Sequence, residues 1–156
     1  MNLADVKVFQ QELARQIEEL NMETNMAEGS GGSQIGDTLR TLLPMNKGEN
    51  VSLTEIVVSQ FNAESDCVMI YTTMIMEIGP GYEALKEMVL DWNLLYPLGA
   101  FGIFRQERQF YHKYVFPFPK NLPPKKLADR VMYLLEVLYE VISQRFDEAV
   151  QLSGHE

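Results

Sequence analysis

Cys67 is the first side chain to weigh, because it is the chain's single thiol. A cysteine acts as nucleophile or metal ligand only as the thiolate, which needs a base or a positive environment. Its neighbour Asp66 opposes that. One cysteine without a supporting motif is expected to be packed, not catalytic. The histidines, His112 and His155, stand far apart in the chain. With one cysteine they do not give the ligand spacing of a zinc site. His112, between Tyr111 and Lys113, reads as a packed or half-exposed strand residue. Glu83 and Glu87 are four apart, as are Glu136 and Glu140. Such pairs can move protons or hold a hard cation. Neither has a partner motif, so both read as solvated helix faces. Met69, Met74 and Met76 share one run, with Met88 and Met132 elsewhere. Thioethers suit adaptable binding surfaces but fill ordinary cores by default. Without a repeated Met-rich tract, a Cu(I) site is not expected. The residues therefore predict no catalytic set, no metal site and no cofactor.

These side chains must be positioned by a small number of elements. Residues 3–20 carry Val6, Phe9, Leu13, Ile17 and Leu20 on one helical face. Glu28-Gly29-Ser30-Gly31-Gly32-Ser33 has nothing to bury and reads as a flexible connection over 29–33. Strands are expected over 38–45, 51–61 and 66–78, with Asn62-Ala63-Glu64-Ser65 turning the last two into a hairpin. Gly79-Pro80-Gly81 breaks the third strand, and a helix follows over 82–95 with Leu85, Met88, Val89, Trp92 and Leu95 on its stripe. Pro97 and Gly99 end that helix. A second hairpin spans 100–105 and 109–118, with Pro117 and Pro119 expected to stop its second strand. Pro123-Pro124 opens a last helix over 124–150, whose stripe runs from Leu127 through Val131, Leu134, Leu138 and Ile142 to Phe146. The order α-β-β-β-α-β-β-α predicts an α+β fold, an antiparallel sheet of about five strands with helices packed on it. No Gly-rich phosphate loop joins a strand to a helix. The length suits a single domain over 1–156.

Charge narrows the partners. The net charge is −9, and between Val51 and Phe104 seven acids face one base, Lys86. From Arg105 onward there are eight bases and seven acids, so the middle of the molecule is its acidic part. An acidic surface repels phosphate backbones and anionic lipid, so neither nucleic acid nor membrane is an expected partner. Solubility alone would also account for the charge. No apolar run is long enough for a bilayer, and Met1-Asn2-Leu3-Ala4-Asp5 does not read as a secretory leader. A reducing cytoplasm fits one cysteine best.

The strand over 66–78 is the most informative feature. Val68, Ile70, Met74, Met76 and Ile78 share one face, interrupted by Thr72. The opposite face carries Cys67, Met69, Tyr71, Thr73 and Ile75. A sheet wetted on one side should alternate apolar and polar, and this strand does not. The strand over 109–118 behaves the same way, with Phe110, Tyr114 and Phe116 against Tyr111 and Val115. The second face is expected to lie under the first helix or under another chain, a second copy or a client.

Leu43-Pro44-Met45, Tyr71-Thr72-Thr73, Trp92-Asn93, Pro97-Leu98-Gly99-Ala100-Phe101-Gly102 and Tyr111-His112-Lys113-Tyr114-Val115, in that order, resemble the YbjN family. That family is similar in fold to the class I chaperones of type III secretion. The resemblance runs over residues 38–150 and rests on element order and short aromatic–glycine motifs. It implies a small acidic protein, often dimeric, acting by contact; the secretion chaperones hold an extended segment of a client. It supplies no functional residue set to carry over, and the Gly/Ser stretch departs from it. The expected function is therefore a non-catalytic protein-binding module, chaperone-like or regulatory, not an enzyme. Its partner would be a protein or peptide, and a homodimer is expected. Candidate partner-binding residues are Met69, Tyr71, Ile75, Trp92, Tyr96, Phe101 and Tyr111. The alternative is a small-ligand sensory domain with a pocket between Trp92, Phe101 and the last helix.

Overall fold

Asn2 caps the first helix: its side chain accepts the Asp5 N–H at 2.8 Å, which satisfies one of the free first-turn donors. The structure is a computed structural model and describes residues 1–45, 48 and 50–154; His155 lies outside the described residues. Helix α1 spans Leu3–Glu18, and its expected stripe is fully buried at Val6, Phe9, Leu13 and Ile17. The helix stops before Leu20, which is 53% exposed and not part of the stripe. Asn21 then turns the chain with φ 60°.

Strands β1 (Thr24–Ala27), β2 (Thr38–Met45), β3 (Asn50–Gln60) and β4 (Ser65–Ile75) follow. Helix α2 (Tyr82–Leu95), strands β5 (Ala100–Phe104) and β6 (Gln109–Pro119) and helix α3 (Pro124–Ser153) complete the chain. The fold is α+β, and every strand pairing is antiparallel in the order β1-β2-β3-β4-β6-β5. Asn62 makes the β3–β4 turn by accepting the N–H groups of Glu64 and Ser65 on its side-chain oxygen.

Three details differ from expectation. The sheet has a sixth strand, β1, a four-residue edge piece. The Gly/Ser connection is tied down at its end: Ile35 N–H donates to the Val58 carbonyl and Gln60 N–H to the Ser33 carbonyl, each at 2.8 Å. The two prolines do not stop β6, since Pro117 pairs with Cys67 and Pro119 with Ser65. Strand β5 accompanies β6 only as far as Lys113, so the prolines fall where the outer side of β6 has no neighbour and no ladder bond is lost.

All three helices lie on one side of the sheet. Helix α1 packs on α3, and α2 on α3 and β5. Their buried residues join Leu39, Ile56, Val68, Ile70 and Phe110 in one core. The first helix therefore does not cover the second sheet face. A bulge between Thr73 and Ile75 also changes the face expected of β4's end. Thr73 pairs with Tyr111, but Ile75 pairs with Phe110 and turns into the core, 8% exposed. The strand ends there, and Met76 is 59% exposed.

Candidate interaction surface

The helix-free face is built from alternate residues. On β4 these are Cys67, Met69, Tyr71 and Thr73. Register sets them beside Pro117, Val115, Lys113 and Tyr111 of β6, and beside Ser59, Val57, Glu55 and Leu53 of β3. Leu42 pairs with Leu53 and Pro44 with Val51, which extends the face towards β2. Four of its large apolar side chains are exposed: Leu42, Val51, Phe104 and Val115.

Aromatic rings organise the β5–β6–β4 part. Phe104 stacks on Tyr111 with centroids 4.3 Å apart, and Tyr111 meets Tyr71 at 6.3 Å. Gly102 makes this possible: the Tyr111 ring lies over it, and a Cβ there would come within 2.6 Å of the ring. Tyr71 reaches the Met69 sulfur at 4.0 Å, and the Lys113 ammonium sits 5.4 Å from the Tyr71 ring centre. The charged pair on this face, Arg40 and Glu55, is closed on itself at 2.9 Å. The face thus offers apolar and aromatic area with one closed ion pair and one ammonium, Lys113, held over a ring.

The seven candidate residues divide. Met69, Tyr71 and Tyr111 meet on the open face. Ile75 is carried into the core by the bulge. Trp92, Phe101 and Tyr96 lie on the helix side, where Trp92 contacts Phe101 at 5.4 Å and Phe110 at 6.0 Å. Tyr96 meets Phe101 edge-on at 6.0 Å and donates to Gln144 at 3.1 Å. Trp92 and Phe101 are 1% and 3% exposed; a hollow of about 430 Å³ lies between α2 and α3, lined by Met88, Trp92, Leu95 and Arg145, and Phe101 does not line it. Sequence reasoning missed Leu90 and Leu94, which stand exposed on the outer side of α2. Their four-residue spacing, offset from Leu85, Val89 and Trp92, was the available signal. Leu95, expected on the buried stripe, is exposed as well.

Cys67 is 5% exposed, and burial, then the neighbouring Asp66 charge, pushes its thiol up. Such a thiol is a packing group. Asp66 itself holds the Met1 ammonium at 2.6 Å, with both groups buried. Glu83 pairs with Lys86 at 3.0 Å. Among the described residues, no group of three or more His, Cys, Asp or Glu is placed to hold a metal ion.

Thr72, the polar interruption on the core face, belongs to a row across the sheet. Thr41, Thr54, Thr72 and His112 are successive register partners on β2, β3, β4 and β6, all buried. The Thr54 and Thr72 hydroxyls bond at 3.0 Å, and Thr41 donates to the Glu23 carbonyl at 2.9 Å. His112 Nε2 lies 2.9 Å from the Leu98 carbonyl, which fixes it as the donor. Burial pulls the His112 pKa below its ordinary 6.5, only partly offset by that bond. The folded chain therefore keeps His112 neutral, while the unfolded chain takes up a proton near 6.5. Its contribution to stability is present above that pH and lost as pH falls through the lower folded value. Urea midpoints should fall between pH 7.5 and 5.5, and the fall should be smaller in His112→Gln. An equal pH slope in that variant would contradict this account.

The chain matches no family model and none of the curated proteins with which it was compared.

Proposed function

We propose that the chain is a non-catalytic protein-binding module, chaperone-like or regulatory, that works in the cytoplasm by contact with a protein or peptide. The observation that carries this reading is the helix-free sheet face, which leaves Leu42, Val51, Phe104 and Val115 exposed beside Tyr71 and Tyr111. Contiguous apolar area of this kind is unusual on a chain that works alone. Covering it contributes roughly 25 cal/mol per Å² of apolar surface, from which association entropy subtracts a large share. The likeness to YbjN proteins and secretion chaperones points the same way. A second copy is the first partner to test, because the face is mostly rings and aliphatic groups, with one closed ion pair and the single Lys113 charge. The small-ligand alternative keeps a hollow of about 430 Å³ between Trp92, Leu94, Leu95 and Arg145, although Phe101 packs against Trp92 and Phe110 and does not line it. Among the described residues no helix is long and apolar enough to cross a membrane.

Sedimentation over a range of protein concentration and salt tests the reading. Two copies each carrying −9 repel at low salt, so a homodimer should hold or tighten as salt rises. A basic client would show the reverse dependence. A strict monomer at every salt concentration removes the homodimer from the proposal.

A further inference from the structure

We propose that a chamber on the helix side of the sheet, between the end of α1, β2 and the middle of α3, is a binding site for an amphiphilic organic cation. It lies on the side opposite the open sheet face and is independent of the protein-binding reading. Its volume is about 440 Å³, within the range of roughly 300–1,000 Å³ typical of small-molecule sites. Ile17, Leu43, Met132 and Leu135 form apolar walls. Tyr139 joins two of the walls by donating to the Pro44 carbonyl at 2.9 Å, so α3 and β2 are held at a fixed separation.

The polar lining decides what kind of apolar molecule fits. Thr41 is engaged with the Glu23 carbonyl and Tyr139 with Pro44, so neither hydroxyl proton is free for a ligand. Two carboxylates remain, Glu136 and Glu140, one turn apart on α3 and both exposed. Neither makes an ion pair among the described residues. Among the described residues, the chamber lining contains no Lys, Arg or His. Like charges at this spacing on a helix repel, and a cation set between them removes that repulsion. The same carboxylates disfavour an anionic amphiphile of identical length. An alkyl body in the chamber with an ammonium at Glu136 and Glu140 satisfies both parts at once.

The test uses n-octylammonium, n-octanol and n-octanoate, each below its micelle concentration, titrated into methyl-labelled protein and read by NMR. Octylammonium should shift the methyl signals of Ile17, Leu43, Met132 and Leu135. It should bind about tenfold more tightly than octanoate, the size expected when two partly exposed charges act with opposite sign on the two ligands. Glu136→Gln/Glu140→Gln, on exposed positions, should remove most of that preference while leaving octanol unchanged. Leu20→Lys, at the exposed rim, should compete with octylammonium and weaken it, whereas Leu90→Lys on α2 should not. Equal binding of octanoate, shifts confined to other methyls, absence of binding, or a preference that survives the double substitution would each overturn the proposal. None of these outcomes bears on whether the sheet face binds protein.

Discussion

Trp92→Ala is expected to destabilise the fold by about 3–5 kcal/mol, the usual cost of removing a buried aromatic side chain. The indole is 1% exposed and meets Phe101 and Phe110, while the Arg145 guanidinium lies 5.7 Å from its ring. Removing it leaves a void in the aromatic core between α2 and the β5–β6 hairpin, and close-packed neighbours collapse only partly into such a void. It is the chain's one tryptophan, so unfolding of the variant is followed by circular dichroism in urea instead of fluorescence. A loss well under about 1 kcal/mol would show that the ring is replaceable and that its burial has been misread. The same experiment separates two roles. Trp92 was a candidate contact for a partner, and its burial makes it a core residue, so its loss is expected to act on association through the fold.

Leu138→Ala is the second large effect, at about 2–5 kcal/mol. Leu138 is 2% exposed on the face of α3 that lies in the core with Val131, Leu135 and Ile142. Leu134 belongs to the same sequence stripe, but it is only partly buried. Leu134→Ala should cost roughly half as much or less, because part of its surface is already wet in the folded chain. Equal losses at the two positions would mean that α3 is rotated from the orientation described. Both values come from urea midpoints at one pH, with the denaturant slope checked for constancy.

The contrast between those leucines shows what a periodic pattern conveys. The stripe on α3 identifies the helix and its general buried side, but a wide stripe does not say which flank faces the sheet. The antiparallel pairing of β3 and β4 was legible for a similar reason: Asn62 and Ser65 mark the turn, and the apolar runs on either side have strand length. Strand β1 was not legible, since Thr-Asn-Met-Ala is short and lacks β-branched pairs, and its pairing comes from β2 alone. The bulge at Met74 was hidden too. A run apolar on both faces reads the same whether or not it slips by one residue, so Ile75 could be assigned to either face.

The candidate surface was legible in part for the same reason. Met69, Tyr71 and Tyr111 share a face by simple alternation, and register brings them together. Trp92, Phe101 and Tyr96 were grouped with them by aromatic character, which carries no information about the side of the sheet. The packing of α2 on α3 and β5 places Trp92 in the core and Tyr96 at its edge, and the pairing of Phe101 with His112 turns Phe101 inward. Leu90 and Leu94 went unread because attention to the buried stripe of a helix passes over its outer side.

The central claim is that the helix-free sheet face is the surface through which this protein binds. It is tested most directly by comparing two charge-introducing variants in sedimentation against the unmodified chain. Tyr111→Glu/Val115→Glu alters the open face, and Leu90→Glu/Leu94→Glu alters the exposed side of α2. Both keep buried residues intact, and circular dichroism reports whether each is folded. The account predicts that the sheet-face variant is a folded monomer that has lost association, while the α2 variant associates as the unmodified chain does. Association that survives in the first variant and disappears in the second would contradict it and move the binding surface to α2.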